Sequence, residues 1–181
     1  MTGDSDVELI GLVAKGHAAA LDELMRRHED LVFAVCLRLM GSREAALDAA
    51  QETFLTVFRK ADRYRAEAAF STWLYRVATN TCFDQLRKAK RRRTEPIPEY
   101  HDPVDVSTVD SFTSVELKPS IEAALMAIPV DYRTAVVLSD IHGLGIAEIS
   151  DALEIPAGTV KSRVFRGRRL LAEILGNIND T

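Results

Sequence analysis

The sequence predicts an all-α chain of two small helical domains joined by a flexible acidic linker. Three observations carry this expectation. Apolar residues recur at three- and four-residue spacing along nearly the whole chain, the period of one helix face. No stretch keeps the strict alternation of a half-buried strand. One segment breaks the pattern: TEPIPEYHDPVDVSTVDSFTSVELK, residues 94–118, holds three prolines, six acids and a single lysine with no sustained period. The 181 residues, 47% of them hydrophobic, suit one or two domains. The boundaries read as 1–93 for the first domain, 94–118 for the linker and 119–181 for the second domain.

Taken in order, residues Asp6–Lys15, His17–Met40, Ser42–Lys60 and Ser71 to about Arg92 read as helices, broken at Gly16, at Gly41 and in the irregular stretch 61–70. Ser42 and Ser71 read as N-caps, because a short hydroxyl side chain can satisfy an unpaired N–H of the first turn. Beyond Pro119 the helical period resumes over Ser120–Ile128, Val130–Ile141, Ile146–Leu153 and Ala157–Leu175. Pro129, the pair Gly143 and Gly145, and Pro156 interrupt it.

Composition excludes several classes. No apolar run approaches the ~18 to 20 residues of a membrane span, and the N-terminus MTGDSDVELIGLV is acidic where a secretion signal is basic. The expected location is therefore the cytoplasm, with no membrane insertion. Cys36 and Cys82 stand far apart within apolar patterns and read as buried free thiols. His17, His28, His101 and His142 are scattered, and the sequence has no metal-ligand spacing, no phosphate-cradling glycine loop and no G-x-S-x-G. No cofactor, small-molecule substrate or catalytic residue is expected.

Charge is distributed unevenly. The chain is acidic overall, at −4, yet six cations fall in RKAKRRR (Arg87, Lys88, Lys90, Arg91, Arg92, Arg93) and five more in the last helix. Cation-rich helix ends also serve solubility and the helix dipole. Two such patches on one small acidic chain favour a polyanionic partner.

The second patch has internal structure. GLGIAEISDALEIPAGTVKSRVFRGRRLL reads as a short helix, a tight turn at 154–156 and a longer helix, the layout of a helix-turn-helix. Ile146, Ile149, Leu153 and Ile155 are expected to pack on Val160 and Val164. That leaves Lys161, Ser162, Phe165 and Arg166 outward, where cations can read guanine edges and Phe165 can touch a thymine methyl. Arg163, Arg168 and Arg169 are placed to grip phosphates.

The first patch ends a helix whose earlier turns are polar. In FSTWLYRVATNTCFDQLRKAKRRR, residues Phe70, Trp73, Leu74, Val77, Ala78 and Thr81 define a core face. Thr72, Arg76, Asn80, Phe83 and Arg87 lie opposite, with Lys88 and Arg91 in the basic run beyond. Amide, aromatic and cation together suit unpaired bases, whose polar edges are free only when a duplex is open. The preceding YRAEAAF loop, from Tyr64 to Phe70, can wall such a pocket.

These segments resemble a known family. DAAQETFLTVFRKADRY, FSTWLYRVATNTCFDQLRKAKRRR and IPVDYRTAVVLSDIHGLGIAEISDALEIPAGTVKSRVFRGRRLL look like regions 2.2, 2.3–2.4 and 4 of the extracytoplasmic-function (ECF, group 4) sigma factors of bacterial RNA polymerase. The alanine- and arginine-rich flavour resembles actinobacterial members. The resemblance implies one four-helix domain for the −10 promoter element and another for the −35 element. It further implies binding to core RNA polymerase through the β′ clamp helices and the β flap, promoter DNA as ligand, and a cognate anti-sigma factor.

Site roles follow from the same resemblance. Asp48, Gln51, Glu52 and Leu55 lie along one stripe of the 42–60 helix, on the face that similar proteins offer to the β′ clamp, while Leu47, Ala50, Phe54 and Phe58 are expected to face the core. Tyr64, Arg76, Asn80, Phe83, Arg87, Lys88 and Arg91 match the −10 side, with Asn80 and the 64–70 loop at the positions that hold a flipped base. Lys161, Ser162, Phe165 and Arg166 match the positions that read the −35 element, and Arg163 and Arg169, read above as phosphate grips, complete the −35 side. The linker acids Asp102, Asp105 and Asp110 are candidates for mimicking nucleic acid along the RNA path. If extended, the 25 linker residues reach at most about 80 to 90 Å, enough for two turns of duplex. A stand-alone helix-turn-helix regulator is the competing reading; it leaves Asn80 and the clamp-like helix without a role.

Overall fold

The computed structural model describes residues 5–94 and 121–179, and every regular element in them is helical. The linker and the acids assigned to it lie outside the described residues.

The first domain holds α1 (Asp6–Ala14), α2 (Ala18–Met40), α3 (Arg43–Lys60), a 3₁₀ turn at Ala61–Arg63 and α4 (Phe70–Thr94). Local chemistry sets the ends. Ser5 caps α1 reciprocally: its Oγ accepts from the Glu8 N–H at 3.3 Å, and the Glu8 carboxylate accepts from the Ser5 N–H at 2.7 Å. Gly41, at φ 77°, closes α2 in a left-handed conformation that a residue with a Cβ adopts only under strain, and Ser42 Oγ then accepts from Ala45 N–H to start α3. The interior is built from Leu24, Val32, Val35, Cys36 and Leu39 of α2, Ala46, Ala49, Phe54 and Val57 of α3, and Leu74, Ala78 and Cys82 of α4. Buried threonines satisfy themselves, as Thr53, Thr79 and Thr81 each donate to the carbonyl one turn back at 2.7–2.9 Å.

Three expectations need correction. Phe70 already belongs to α4, so Ser71 lies inside the helix and is no cap. Leu47 and Phe58 do not face the core, being 50% and 48% exposed. The buried stripe of α3 runs instead through Ala46, Ala49, Thr53, Phe54 and Val57, where small residues let α3 approach α2 closely. Thr72, placed opposite the core face, is buried.

The second domain holds α5 (Ile121–Ala127), α6 (Val130–Val136) running into a π-helical turn at Val137–Ile141, α7 (Ile146–Leu153) and α8 (Ala157–Asn179). Gly145 N–H donates to the Glu148 carboxylate at 2.8 Å at the start of α7. Glu154, at φ 54°, ends that helix, and Ser150 Oγ donates to the Ile155 carbonyl at 2.6 Å to hold the turn. Ile149, Ala152, Val160 and Val164 are buried, with Ile146, Leu153 and Ile155 packed around them, which is the expected helix-turn-helix interior. Gly167 marks where α8 crosses α6: a Cβ there would stand 2.5 Å from Val136 Cγ2, too close to coexist with it. A second cluster, Leu125, Ile128, Val136 and Val137, gathers Leu170, Leu171 and Ile174 of α8.

The two domains touch. Helix α7 lies against α4, while α5, α6 and the π turn lie against α2. Buried Arg133 of α6 donates to the Leu39 carbonyl at 2.7 Å and to the Ile128 carbonyl at 3.2 Å, satisfying the open C-terminal end of α2. Burial holds its guanidinium below its ordinary pKa. Among the described residues no helix is long and apolar enough to cross a membrane.

Candidate nucleic-acid and polymerase interfaces

Helix α8 presents the outward residues as its period dictates. Lys161 and Arg166 are exposed, Ser162 is half-buried and Phe165 is 68% exposed, while Val160, Val164 and Gly167 face inward. Ser162, Arg163 and Arg166 line a cleft of about 450 Å³ with Asp131 and Tyr132 of α6. The cations assigned to phosphate each carry an acid. Arg163 pairs with Asp131 at 3.3 Å, Arg169 with Glu173 at 3.0 Å, and Arg168 makes a two-pronged contact with Asp140. The Arg168 hydrogen bonds hold the Asp140 carboxyl below its ordinary pKa and raise that of Arg168. These exposed pairs are weak and can be exchanged for phosphate.

Helix α4 brings Arg76, Asn80, Phe83 and Arg87 onto one stripe. Asn80 and Arg87 are exposed, and Arg76 and Phe83 half-buried. Lys88 turns toward α3, where it lines a polar groove, and Arg91 is exposed further along. Arg87 pairs loosely with Asp84 at 3.4 Å. The loop before α4 is shaped by aromatics. Tyr64 donates its hydroxyl proton to the Ala68 carbonyl at 2.9 Å, and its ring meets Phe70 and Trp73 at 5.8 and 5.5 Å between centroids. Burial pushes the Tyr64 phenol above its ordinary pKa, with the charge of Asp6 adding to it. His28 of α2 joins this cluster against Phe70 and contacts the Asp6 carboxylate at 2.7 Å, so α1 and α2 help fix the loop. Behind the loop lies a cleft of about 390 Å³ lined by Arg63, Arg65, Glu67, Trp73, Arg76 and, from α7, Asp151.

Helix α3 carries the third surface. Asp48, Gln51 and Glu52 line a groove of about 440 Å³ together with Asp84, Gln85 and Lys88 of α4, and Leu55 is exposed beside them. Glu52 also accepts from Arg59 at 2.9 Å. The misplaced pair Leu47 and Phe58 adds apolar area to this acidic face.

The sequence analysis gave no role to several residues of the domain contact, Arg133 and His142 among them. Arg133 stands one turn from Val136 and Val137, a cation on an apolar face, and that mismatch was the available signal. His142 ends the π turn, where Tyr75 Oη lies 3.2 Å from its Nδ1. Burial, reinforced by the charge of Arg38, lowers the His142 pKa. The cysteines, distant in sequence, are both buried, one on α2 and one on α4: the neighbouring Cys36 side chain and then burial push the Cys82 thiol far above its ordinary pKa.

Residues 24–92 match the family model of sigma-70 region 2, and residues 119–171 that of sigma-70 region 4. The ECF RNA polymerase sigma factor SigM of Mycobacterium tuberculosis is 38% identical, over 97% of this chain and 87% of its own length. SigW of Bacillus subtilis is 35% identical over 92% of this chain and 94% of its own. In fold, the chain resembles the sigma factor RpoE of Bartonella quintana, solved with the anti-sigma factor NepR, at a TM-score of 0.69 and 23% identity, covering 86% of this chain and 96% of that one. It also resembles CnrH, solved with the cytosolic domain of CnrY, at a TM-score of 0.67 and 23% identity, covering 96% and 99% of the two chains. With regions 2 and 4 both matched and relatives aligned along nearly its whole length, the chain belongs to the extracytoplasmic-function group of sigma-70 RNA polymerase sigma factors.

Proposed function

We propose that this sigma factor docks on core RNA polymerase through the α3 face, reads the −35 element with α8 and holds the opened −10 strand on α4. The domains responsible are residues 1–93 and 119–181, with 94–118 as the tether. Lys161, Ser162, Phe165 and Arg166 read base edges in the major groove, and Arg163 and Arg169 exchange their carboxylates for phosphates. Asn80, with the Tyr64–Phe70 loop beside it, takes a flipped base. Unstacking a base costs a few kcal/mol, which stacking at ~1 to 3 kcal/mol per base offsets. Arg76, Phe83, Arg87, Lys88 and Arg91 follow the same strand.

Asp48, Gln51, Glu52 and Leu55 meet the β′ clamp helices, and the second domain rests on the β flap. A cognate anti-sigma factor covers these exposed faces to keep the protein silent, a reading supported by the structural relative RpoE, solved with the anti-sigma factor NepR. No residue of this chain acts as a catalyst; the phosphodiester chemistry belongs to the polymerase, and the factor works in the cytoplasm.

The observation that carries this reading is the exposure of Asn80 among cations on α4, apart from the equally exposed duplex-reading face of α8. Asn80→Ala is expected to slow promoter opening, followed by permanganate reactivity of unpaired thymines in the reconstituted holoenzyme, and to leave affinity for a −35 duplex unchanged. Equal loss in both assays contradicts the division of labour.

A further inference from the structure

The 64–70 loop takes its shape from outside itself. Within it the bonds are short-range, with Glu67 N–H donating to the Arg65 carbonyl at 2.6 Å and the Tyr64 hydroxyl to the Ala68 carbonyl at 2.9 Å. Arg65, Ala66 and Glu67 at its tip are exposed, while Phe70 at its far end is buried. That end is fixed by His28 of α2, whose ring lies 5.3 Å from the Phe70 ring at a tilt of 57°. Phe70 in turn meets Tyr64 at 5.8 Å and Trp73 at 5.9 Å between centroids. The near end of the loop continues from the 61–63 turn, against which α1 lies.

One carboxylate joins the two supports. Asp6, the first residue of α1, contacts His28 Nε2 at 2.7 Å through one oxygen and Arg27 Nη1 at 3.1 Å through the other. A carboxylate paired with a guanidinium accepts and does not donate, so the Nε2 facing it carries the proton and the imidazole is held in one tautomer and one orientation. The His28 side chain is only 14% exposed and has little room to turn. Because aromatic pairs depend on their mutual angle, an imidazole fixed in this way fixes the seat of Phe70 as well.

We propose that His28 is a positioning residue for −10 recognition: clamped by Asp6, its ring seats Phe70 and thereby sets the shape of the loop that decides which flipped base is accepted. This role rests on the assignment of the flipped base to Asn80 and the 64–70 loop. A loop released from Phe70 admits bases less selectively, because a pocket discriminates only as well as its walls are held.

The single tryptophan of the chain, Trp73, reports on the loop directly, since its ring meets both Tyr64 and Phe70. Two variants of the full-length protein each remove one link: His28→Gln keeps a donor for Asp6 but no ring for Phe70, and Asp6→Ala keeps the ring but not its clamp. Both should shift the Trp73 emission to the red and raise its quenching by acrylamide, with the helical circular dichroism unchanged. Emission unchanged in His28→Gln overturns the positioning role, and a change there with none in Asp6→Ala removes the carboxylate from it. Base choice is read by assembling each variant with bacterial core RNA polymerase, selecting from short single-stranded DNA of fully randomised sequence and sequencing the retained strands. At the most selective position the ratio of best to poorest base should fall about two- to tenfold in His28→Gln, the worth of one aromatic contact. Asn80→Ala is the reference. If it flattens that position and His28→Gln does not, the positioning role is overturned and the loop assignment stands; if neither does, the assignment of the flipped base falls, and this role with it.

Discussion

Arg163 and Arg166 stand one turn apart on α8 and face different chemistry. Arg163 is drawn sideways to Asp131 and is only a quarter exposed, so its reach is toward the flank of the helix, where a duplex presents phosphates. Arg166 is exposed along with Lys161 and Phe165, where base edges lie. Arg166→Ala is therefore expected to relax sequence choice at one −35 position by ~1 to 3 kcal/mol, and Arg163→Ala to weaken all sequences alike. Affinities for a set of single-base duplex variants distinguish them, and a uniform loss for Arg166→Ala reassigns it to the backbone.

At the scale of helices, the crossing of α6 and α8 depends on the missing side chain of Gly167. Gly167→Ala should force Val136 aside, destabilise the second domain by about 1 to 3 kcal/mol and weaken −35 binding; thermal unfolding by circular dichroism reads the first effect. An unchanged midpoint shows that the crossing can relax. Helices α6 to α8 also show what was legible beforehand. Ile149, Val160 and Val164 announced their contact through spacing alone, because a helix-turn-helix packs on itself across a short turn.

Helix α3 was harder to read, since its core stripe uses Ala46, Ala49 and Thr53, whose small volume suits a close approach to α2, and its large residues Leu47 and Phe58 face outward. Size misled where hydrophobicity usually guides. The start of α4 was missed for a similar reason: Phe70 is held in the helix by His28, Tyr64 and Trp73, contacts made in space and not along the chain.

The whole molecule adds a contact that the chain signals locally only through Arg133, a cation on an apolar face. Arg133, His142, Arg76 and Glu154 lie in three separate segments, and only folding brings them to one seam. That seam should respond to pH. His142 faces Tyr75 of α4 and the charge of Arg38 of α2, and its Nε2 is buried without a partner among the described residues. Its pKa is lowered when docked and returns toward the ordinary value of about 6.5 when the domains part, so the open form binds more protons. Docking is then fully favoured above about pH 7 and weakens as pH falls through the ordinary histidine range. Scattering between pH 8 and pH 5.5 should show expansion on acidification, and His142→Gln should remove most of that dependence; a radius that does not change contradicts it.

The central claim is that the protein is a polymerase subunit, and its most direct test is size-exclusion chromatography with bacterial core RNA polymerase, using wild type and the Asp48→Lys, Glu52→Lys double variant. Reversal places cations on the α3 face and leaves Arg59 without its acid, while touching no buried residue of the first domain. Wild type is expected to co-elute with the polymerase and the double variant to elute apart from it. Wild-type protein eluting alone, as a monomer free of any inhibitor, would contradict it.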